Sequence, residues 1–404
     1  MKVLRDALDK AKHNFEKGGK WERYYYVFEA FDTFAFAPNT TTGPKGAQIR
    51  DAVDMKRLMM TVIISMIPCL LFGIYNVGYQ HFVATGQEGT LGEMVWIGLK
   101  QVVPVIIVSY AAGLGVEFIF ATFRRHPVNE GFLVSGMLIP LVMPPDVPLW
   151  QVAVATIFAV VIGKEAFGGT GMNVVNVALT ARAFLYFAYP VDMAGEVWTY
   201  LPEGVQTVSG YSGATPLAVA AETITSGGNA VSALTSFGNG WADGIYTFNN
   251  MFLGLIPGSV GETSTIMCLI GAFILIFTGV GSWKIIVSVF GGAFAMGLLL
   301  NAIGGNPFVE MPAHYHLVMG GLAFGAVFMA TDPVTATHTE TGKWFYGALI
   351  GMLTVLIRAF NPAYPEGIML AILFMNVMAP LIDHYVIRAN VKRRLNRKKT
   401  PVHE

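Results

Sequence analysis

Charge is what this chain has least of. Asp, Glu, Lys and Arg make up 13% of its 404 residues, against 54% hydrophobic, where a soluble domain carries about 25% charged residues. That scarcity excludes an ordinary water-facing surface. Amphipathic helices, which would have to cover so large an apolar core in water, are almost wholly missing as well. Cysteine is nearly absent. Cys69 and Cys268 both fall inside apolar runs, without metal-ligand spacing, so they read as small packing residues rather than a disulfide framework or a metal centre. No apolar stretch follows the basic residues of 1–20, so no cleavable secretory leader is expected. Lys and Arg are missing altogether from 190 to 262, where Asp192, Glu196, Glu203, Glu222, Asp243 and Glu262 are all acidic. With a formal net charge of zero, nothing points to a nucleic-acid partner.

Long apolar runs are what the chain has instead. Residues 58–75, 102–123, 150–162, 266–280, 285–303 and 367–382 are nearly free of charge. Each approaches or exceeds the ~20 residues that cross about 30 Å of hydrocarbon. Spans are predicted near 58–79, 96–123, 131–143, 149–167 and 173–189, then near 264–281, 284–303, 317–330, 344–359 and 367–386. The third, fifth and eighth are short and rich in Gly, Pro or Asn, the mark of broken helices that line a protein-enclosed cavity. The expected fold is an all-α membrane protein of about ten transmembrane helices in two inverted five-helix repeats.

Charge segregation orients the chain. Residues 1–57 and 388–404 are rich in Lys and Arg, which stay on the cytoplasmic side of short loops. Both termini are therefore expected inside a bacterial inner membrane, and 190–262 in the periplasm. The expected organisation is a cytoplasmic extension (1–57), a five-span half (58–189), a periplasmic segment (190–263), a second five-span half (264–387) and a basic tail (388–404). Leu4, Leu8, Ala11 and Phe15 recur at helical spacing, and the aromatic stretch 21–36 suits the headgroup level of the lipid or a partner subunit.

The halves also share an order of features. Residues 131–187 and 318–382 each hold a Gly-rich apolar stretch ending at Asp146 or Asp332. Each continues through a helix ending at Lys164 or Arg358, a Gly/Pro/Asn loop and a final helix. Inverted repeats of this kind build many transporters.

Several residues carry chemical potential. Glu117 lies within the second span and Asp383 near the end of the last. Intramembrane carboxylates are costly unless paired or hydrated, so both are candidates for an ion path, with hard oxygen ligands that suit sodium. Interfacial placement is the alternative for Asp383. Asp146 and Asp332, each near a proline, read as turn or cap residues. His314 and His316 read as interfacial anchors rather than haem ligands. Gly168, Gly169 and Gly171 would let backbone approach a planar ligand. Asn173 and Asn176, expected one turn apart on the next helix, could pair with the edge of a heterocycle or simply cap that helix.

In the external segment, Ser209-Gly210-Tyr211-Ser212-Gly213-Ala214-Thr215-Pro216 offers a threonine hydroxyl on an open, flexible backbone. A modifying enzyme outside the membrane could esterify it with a phosphate-bearing group. Tyr211 to Thr215 resembles a flavinylation motif. The chain as a whole resembles the B subunits of sodium-translocating NADH:quinone oxidoreductases. Matching stretches are 126–132, 164–173, 181–184, 256–262, 329–333 and 358–365. A related group, the D subunits of Rnf electron-transport complexes, shares motif and spans but lacks so long an N-terminal extension.

The resemblance implies FMN joined to Thr215 through a phosphodiester, with Ser212, Gly213 and Ala214 as its motif. It also implies a noncovalent riboflavin near Gly169, Asn173 and Asn176, electron delivery from NADH through partner subunits to ubiquinone, and outward sodium transport. A flavin transferase would mature the chain, and membrane lipid would surround it. A non-redox transporter or channel, or a scaffold without cofactor, are the competing expectations. Fold alone would permit either.

Overall fold

The computed structural model describes residues 2–16, 18–36, 43, 45–46, 55–128, 131–195, 197–202, 204–361 and 364–398. Asn129, Glu130, Glu196, Glu203, Pro362 and Ala363, all within stretches invoked above, lie outside the described residues, as does most of 37–54. Among the described residues every regular element is helical.

Among the described residues ten apolar segments follow two short N-terminal helices, α1 (Lys2–Phe15) and α2 (Tyr25–Ala35). The first five are α3 (Met55–Thr85), α4 (Leu91–Arg124), α5 (Gly131–Leu141), α6 (Leu149–Gly163) and α7 (Val177–Ala188). Three short helices lie between the halves: α8 (Pro216–Ser226), α9 (Ala230–Ser236) and α10 (Phe248–Leu253). The second half holds α11 (Thr265–Phe277), α12 (Trp283–Ile303), α13 (Tyr315–Val318), α14 (Leu322–Phe324), α15 (Glu340–Phe360) and α16 (Ile368–Lys398). A π-helical turn, Gly325–Met329, follows α14 and completes the eighth segment. Among the described residues six helices are long and apolar enough to cross a membrane, and three shorter apolar ones join them. Leu71, Ile107, Phe187 and Phe277 stand 60–82% exposed on these helices, as side chains facing lipid do.

Small residues let the helices approach closely. A Cβ on Gly78 would strike the Met94 carbonyl, and one on Gly98 the Ile74 carbonyl, so α3 and α4 meet backbone to backbone. In the second half Gly292, Gly347 and Gly351 do the same for α12 and α15. Helix packing repeats between halves: α4 packs on α6 as α12 packs on α15, and α6 on α7 as α15 on α16. The leading helices α3 and α11 pack on each other, with Cys69 and Cys268 buried and their sulfurs 3.8 Å apart. Both cysteines are packing residues, as expected.

The short segments are broken for identifiable reasons. Helix α5 has 11 residues, about 16 Å at 1.5 Å per residue, and cannot cross alone. Backbone from the segment just before α11 completes it: Gly261 N donates to the Leu141 carbonyl (2.7 Å) and Val260 N to that of Met143 (3.2 Å). Between α13 and α14 the chain turns through Gly320 (φ +63). The fully buried Arg358 takes up carbonyls freed by that break, donating to His316 O (2.7 Å) and Met319 O (2.8 Å). Irregular backbone at membrane depth needs such internal partners.

The segment between the halves is a folded cap, not a loose loop. Leu217, Ala220, Leu234, Tyr246 and Met251 form a core with Phe308 and Met311 from beyond α12. Val208 N bonds the Ala84 carbonyl at 3.0 Å, seating the cap on the end of α3. At the other end of the chain α1 is the expected amphipathic helix. Phe15 stacks on Phe28 of α2 at 4.7 Å, and Phe31 meets Phe118 of α4 at 5.7 Å.

Candidate functional site

Thr215 is the N-cap of α8. Its backbone is extended (φ −73°, ψ 159°), and its Oγ1 accepts a hydrogen bond from Ala218 N at 3.2 Å. Pro216 occupies the first helical position, where a missing N–H costs nothing. The motif before it is fixed rather than flexible: Ser212 Oγ accepts from Ala214 N (3.4 Å), Tyr246 Oη donates to the Ala214 carbonyl, and Tyr211 packs edge-on against Trp241 at 4.9 Å. Gly213 is buried and Thr215 half-buried. The expectation of an open, flexible backbone is thereby corrected. The cap's own apolar core holds the motif in place.

Thr215 lines a cavity of about 380 Å³ whose walls include Tyr186, Trp198, Leu217, Ser259, Glu262, Tyr364 and Glu366. That volume is within the usual range for a small-molecule site. Beneath it lies a buried charge cluster. Arg182 of α7 donates to Glu262 (2.7 Å), to Glu366 (2.5 Å) and to Ser259 Oγ (3.5 Å). Arg358 adds a third carbonyl bond, to Glu366 O at 3.0 Å. Two arginines and two glutamates leave the floor formally neutral, so the burial of each charge is compensated. At Gly321 a Cβ would come within 2.6 Å of Glu262 Oε1, so only glycine lets this backbone pass the cluster.

Arg182, Glu262, Tyr364 and Glu366 were not singled out from the sequence. Their signals were present: an arginine inside an apolar helix, and three matched stretches, 181–184, 256–262 and 358–365, with no role given to them. Those stretches converge here.

A second, smaller site lies around the loop after α6. Gly168, Gly169 and Gly171 adopt φ of +120, +98 and +91, the left-handed region that favours glycine. Helix α7 begins only at Val177, so Asn173 is not on that helix. Its Nδ2 donates to Val175 O at 3.1 Å. Asn176 is the N-cap, which ends the helix before Asn173 can join it: its Oδ1 accepts from Leu179 N (3.1 Å). Its Nδ2 reaches Asp332 Oδ2 of the other half at 3.3 Å. Its N–H meets the Asn376 amide oxygen at 3.0 Å with that amide suitably oriented. Asp332 accepts from Val334 N (3.0 Å), the turn role expected of it. The cavity beside both asparagines is about 90 Å³, well under the roughly 300 Å³ at which ligand sites begin.

The remaining candidates are scattered. Glu117 is buried and ion-paired with buried Lys164, joining α4 to α6. Arg124 pairs with Glu165 nearby at 3.1 Å. Asp383 accepts from His338 N (2.8 Å), Thr339 N (3.0 Å) and Thr339 Oγ1 (2.5 Å), tying α16 to the start of α15. Asp146 is exposed. His316 is 1% exposed and packs on Phe308 at 5.6 Å, so it is a core residue rather than an interfacial anchor. The tertiary break after α13 turns it inward.

Comparison with known proteins gives the family of the chain. The sequence model of the NQR2, RnfD, RnfE family matches residues 43–392. The chain is 47% identical to the B subunit of the Na(+)-translocating NADH-quinone reductase of Ectopseudomonas mendocina, over 98% of this chain and 99% of that one. It is 46% identical to the protein of the same name from Pseudomonas aeruginosa strain LESB58, over the same shares of both chains. Identity to the Azotobacter vinelandii protein of that name is 45%, again over 98% of this chain and 99% of that one.

Proposed function

The chain belongs to the NQR2, RnfD, RnfE family, and on that premise we propose that it is the B subunit of a sodium-pumping NADH:ubiquinone oxidoreductase carrying FMN on Thr215. The observation that carries this reading is the placement of Thr215 Oγ1 at the N-terminal pole of α8, on the wall of a 380 Å³ cavity. A helix N-terminus presents unpaired N–H groups and a positive pole to an anion, which suits a phosphodiester. When bound, the flavin supplies a one- or two-electron relay between NADH-derived electrons and quinone. The chain's own groups hold it: α8 faces the phosphate, Tyr186, Trp198 and Leu217 give apolar and aromatic wall, and the Arg182 cluster gives a polar floor. The Rnf-type alternative is disfavoured because the NADH-quinone reductase relatives match over 98% of this chain, N-terminal extension included. A non-redox channel has no use for a covalently held redox group.

The wider reading includes partner subunits that oxidise NADH, ubiquinone as acceptor, sodium as the transported ion, a flavin transferase for maturation, and lipid around α3 to α7 and α11 to α16. A noncovalent riboflavin beside Asn173 and Asn176 does not fit the cavity of about 90 Å³ there, and both amides are already engaged within the chain. We derive no chemistry through it. Purified protein should absorb blue light, and denaturation should leave that absorbance on the chain. A colourless chain would mean a scaffold or channel. Acid extraction of the same sample measures any noncovalent flavin; release that drops when Asn173 and Asn176 are both changed to Leu would show that this site opens to bind one.

The proposed topology puts residues 190–262 in the periplasm and both termini in the cytoplasm of a bacterial inner membrane. The described polar contacts fit it: Arg124, Lys164, Lys284 and Lys343 pair with carboxylates at one end of the bundle, while the cap without Lys or Arg covers the other. Single cysteines placed between 225 and 240 should react with an impermeant maleimide in intact spheroplasts. Reaction only after lysis would reverse the orientation.

A further inference from the structure

We propose that Tyr364 is the hydrogen-bond donor to the ring of the flavin held by Thr215, and so helps to set its reduction potential. This inference rests on the reading of Thr215 just given. Tyr364 lines the same cavity as Thr215. It is 6% exposed, and among the described residues its hydroxyl has no hydrogen-bond partner. A buried phenol left unpaired forfeits its solvation, so such groups in native proteins have a reason. The place of Tyr364 on the wall of the Thr215 cavity supplies one: an acceptor on a molecule bound there.

Ring and hydroxyl have separate attachments. The Tyr364 ring packs edge-on against Tyr186, centroids 4.5 Å apart, which fixes its orientation without using the hydroxyl. The residue leads into Glu366, which Arg182 grips together with Glu262. Burial and the Glu366 carboxylate push the phenol's pKa well above its ordinary value, so it keeps its proton and acts as a donor. The isoalloxazine of a flavin presents carbonyl oxygens and ring nitrogens as acceptors, and these become more electron-rich on reduction. A donor at one of them therefore favours the reduced form over the oxidised. A quinone in the cavity would present the same carbonyl chemistry, and the test separates the two.

The test uses the full chain, co-expressed with its flavin transferase and purified in detergent, as wild type and Tyr364→Phe. Phe keeps the packing on Tyr186 and deletes only the hydroxyl. In-gel fluorescence of the denatured band reports attachment, and spectroelectrochemical titration of the folded protein reports the potential. The expected result is an equally fluorescent band with the flavin about tenfold harder to reduce, a drop of about 30 mV for a two-electron couple. Incorporating 3-fluorotyrosine, a stronger donor, should move the potential the other way and covers the case of a poorly folded Phe variant. A fluorescent band with an unmoved potential and superimposable spectrum overturns the inference alone. Weakened quinone binding with an unmoved flavin potential also overturns it, making quinone the occupant. A dark wild-type band overturns the Thr215 reading and this inference with it.

Discussion

Thr215→Val is expected to yield a chain that reaches the membrane and assembles but carries no flavin after boiling in detergent. The wild-type band should fluoresce under ultraviolet light, because a phosphodiester survives unfolding while a noncovalent flavin dissociates. Val preserves the β-branched shape and removes only the hydroxyl. The same substitution deletes the α8 cap bond to Ala218 N, a loss of about 1 kcal/mol, too small to unfold the cap. Thr215→Ser separates the two effects: it restores both the cap and an esterifiable hydroxyl, so fluorescence should return at least in part. NADH-driven quinone reduction should fall to background in the Val variant of the whole complex. A fluorescent Val band would place the flavin on another residue.

Lys164→Met should be among the most destabilising single changes in the membrane core. Lys164 and Glu117 are 3% and 4% exposed by side chain and pair with each other across α4 and α6. Removing one partner leaves an uncompensated buried charge, a cost of about 3–5 kcal/mol. Glu117→Gln should destabilise in the same direction by leaving the ammonium unpaired. The double change Glu117→Met with Lys164→Met should recover most of the loss, since an apolar pair of similar volume needs no desolvation. The midpoint of heat-induced aggregation in detergent, followed by gel filtration, gives the ranking. Equal stability of wild type and Lys164→Met would show that the pair contributes nothing. The recovered double variant also decides the role of Glu117. A weakened sodium dependence of quinone reduction puts the carboxylate on the ion path; an unchanged one confines it to holding α4 against α6.

The prediction of ten embedded segments came from apolar run length, and their breaks came from Gly, Pro and Asn within the third, fifth and eighth. Both signals survive in one dimension because the bilayer fixes the length an apolar run needs. The order of features in 131–187 and 318–382 likewise anticipated the repeated packing of α4 on α6 and α12 on α15. The N-terminal amphipathic helix was legible from 3.6-residue periodicity alone. Partnerships were not legible. That Glu117 pairs with a lysine could not be read, because that lysine lies 47 positions away. For Asn176 the cap of α7 was one of two readings, but its bond to Asp332, 156 positions on, was not legible.

The sequence by itself determined a membrane protein, its pattern of apolar segments and the segregation of charge along the chain. Each of these depends on local composition over windows of about 20 residues, which hydrophobic transfer energies read directly. Only the tertiary structure decided that Thr215 caps a helix beside a cavity, and that Arg182, Glu262 and Glu366 close beneath it from 80 and 184 positions apart. Close approach of helix backbones at glycines sets which side chains meet. That geometry depends on the packing of all ten segments together, and no window of sequence contains it.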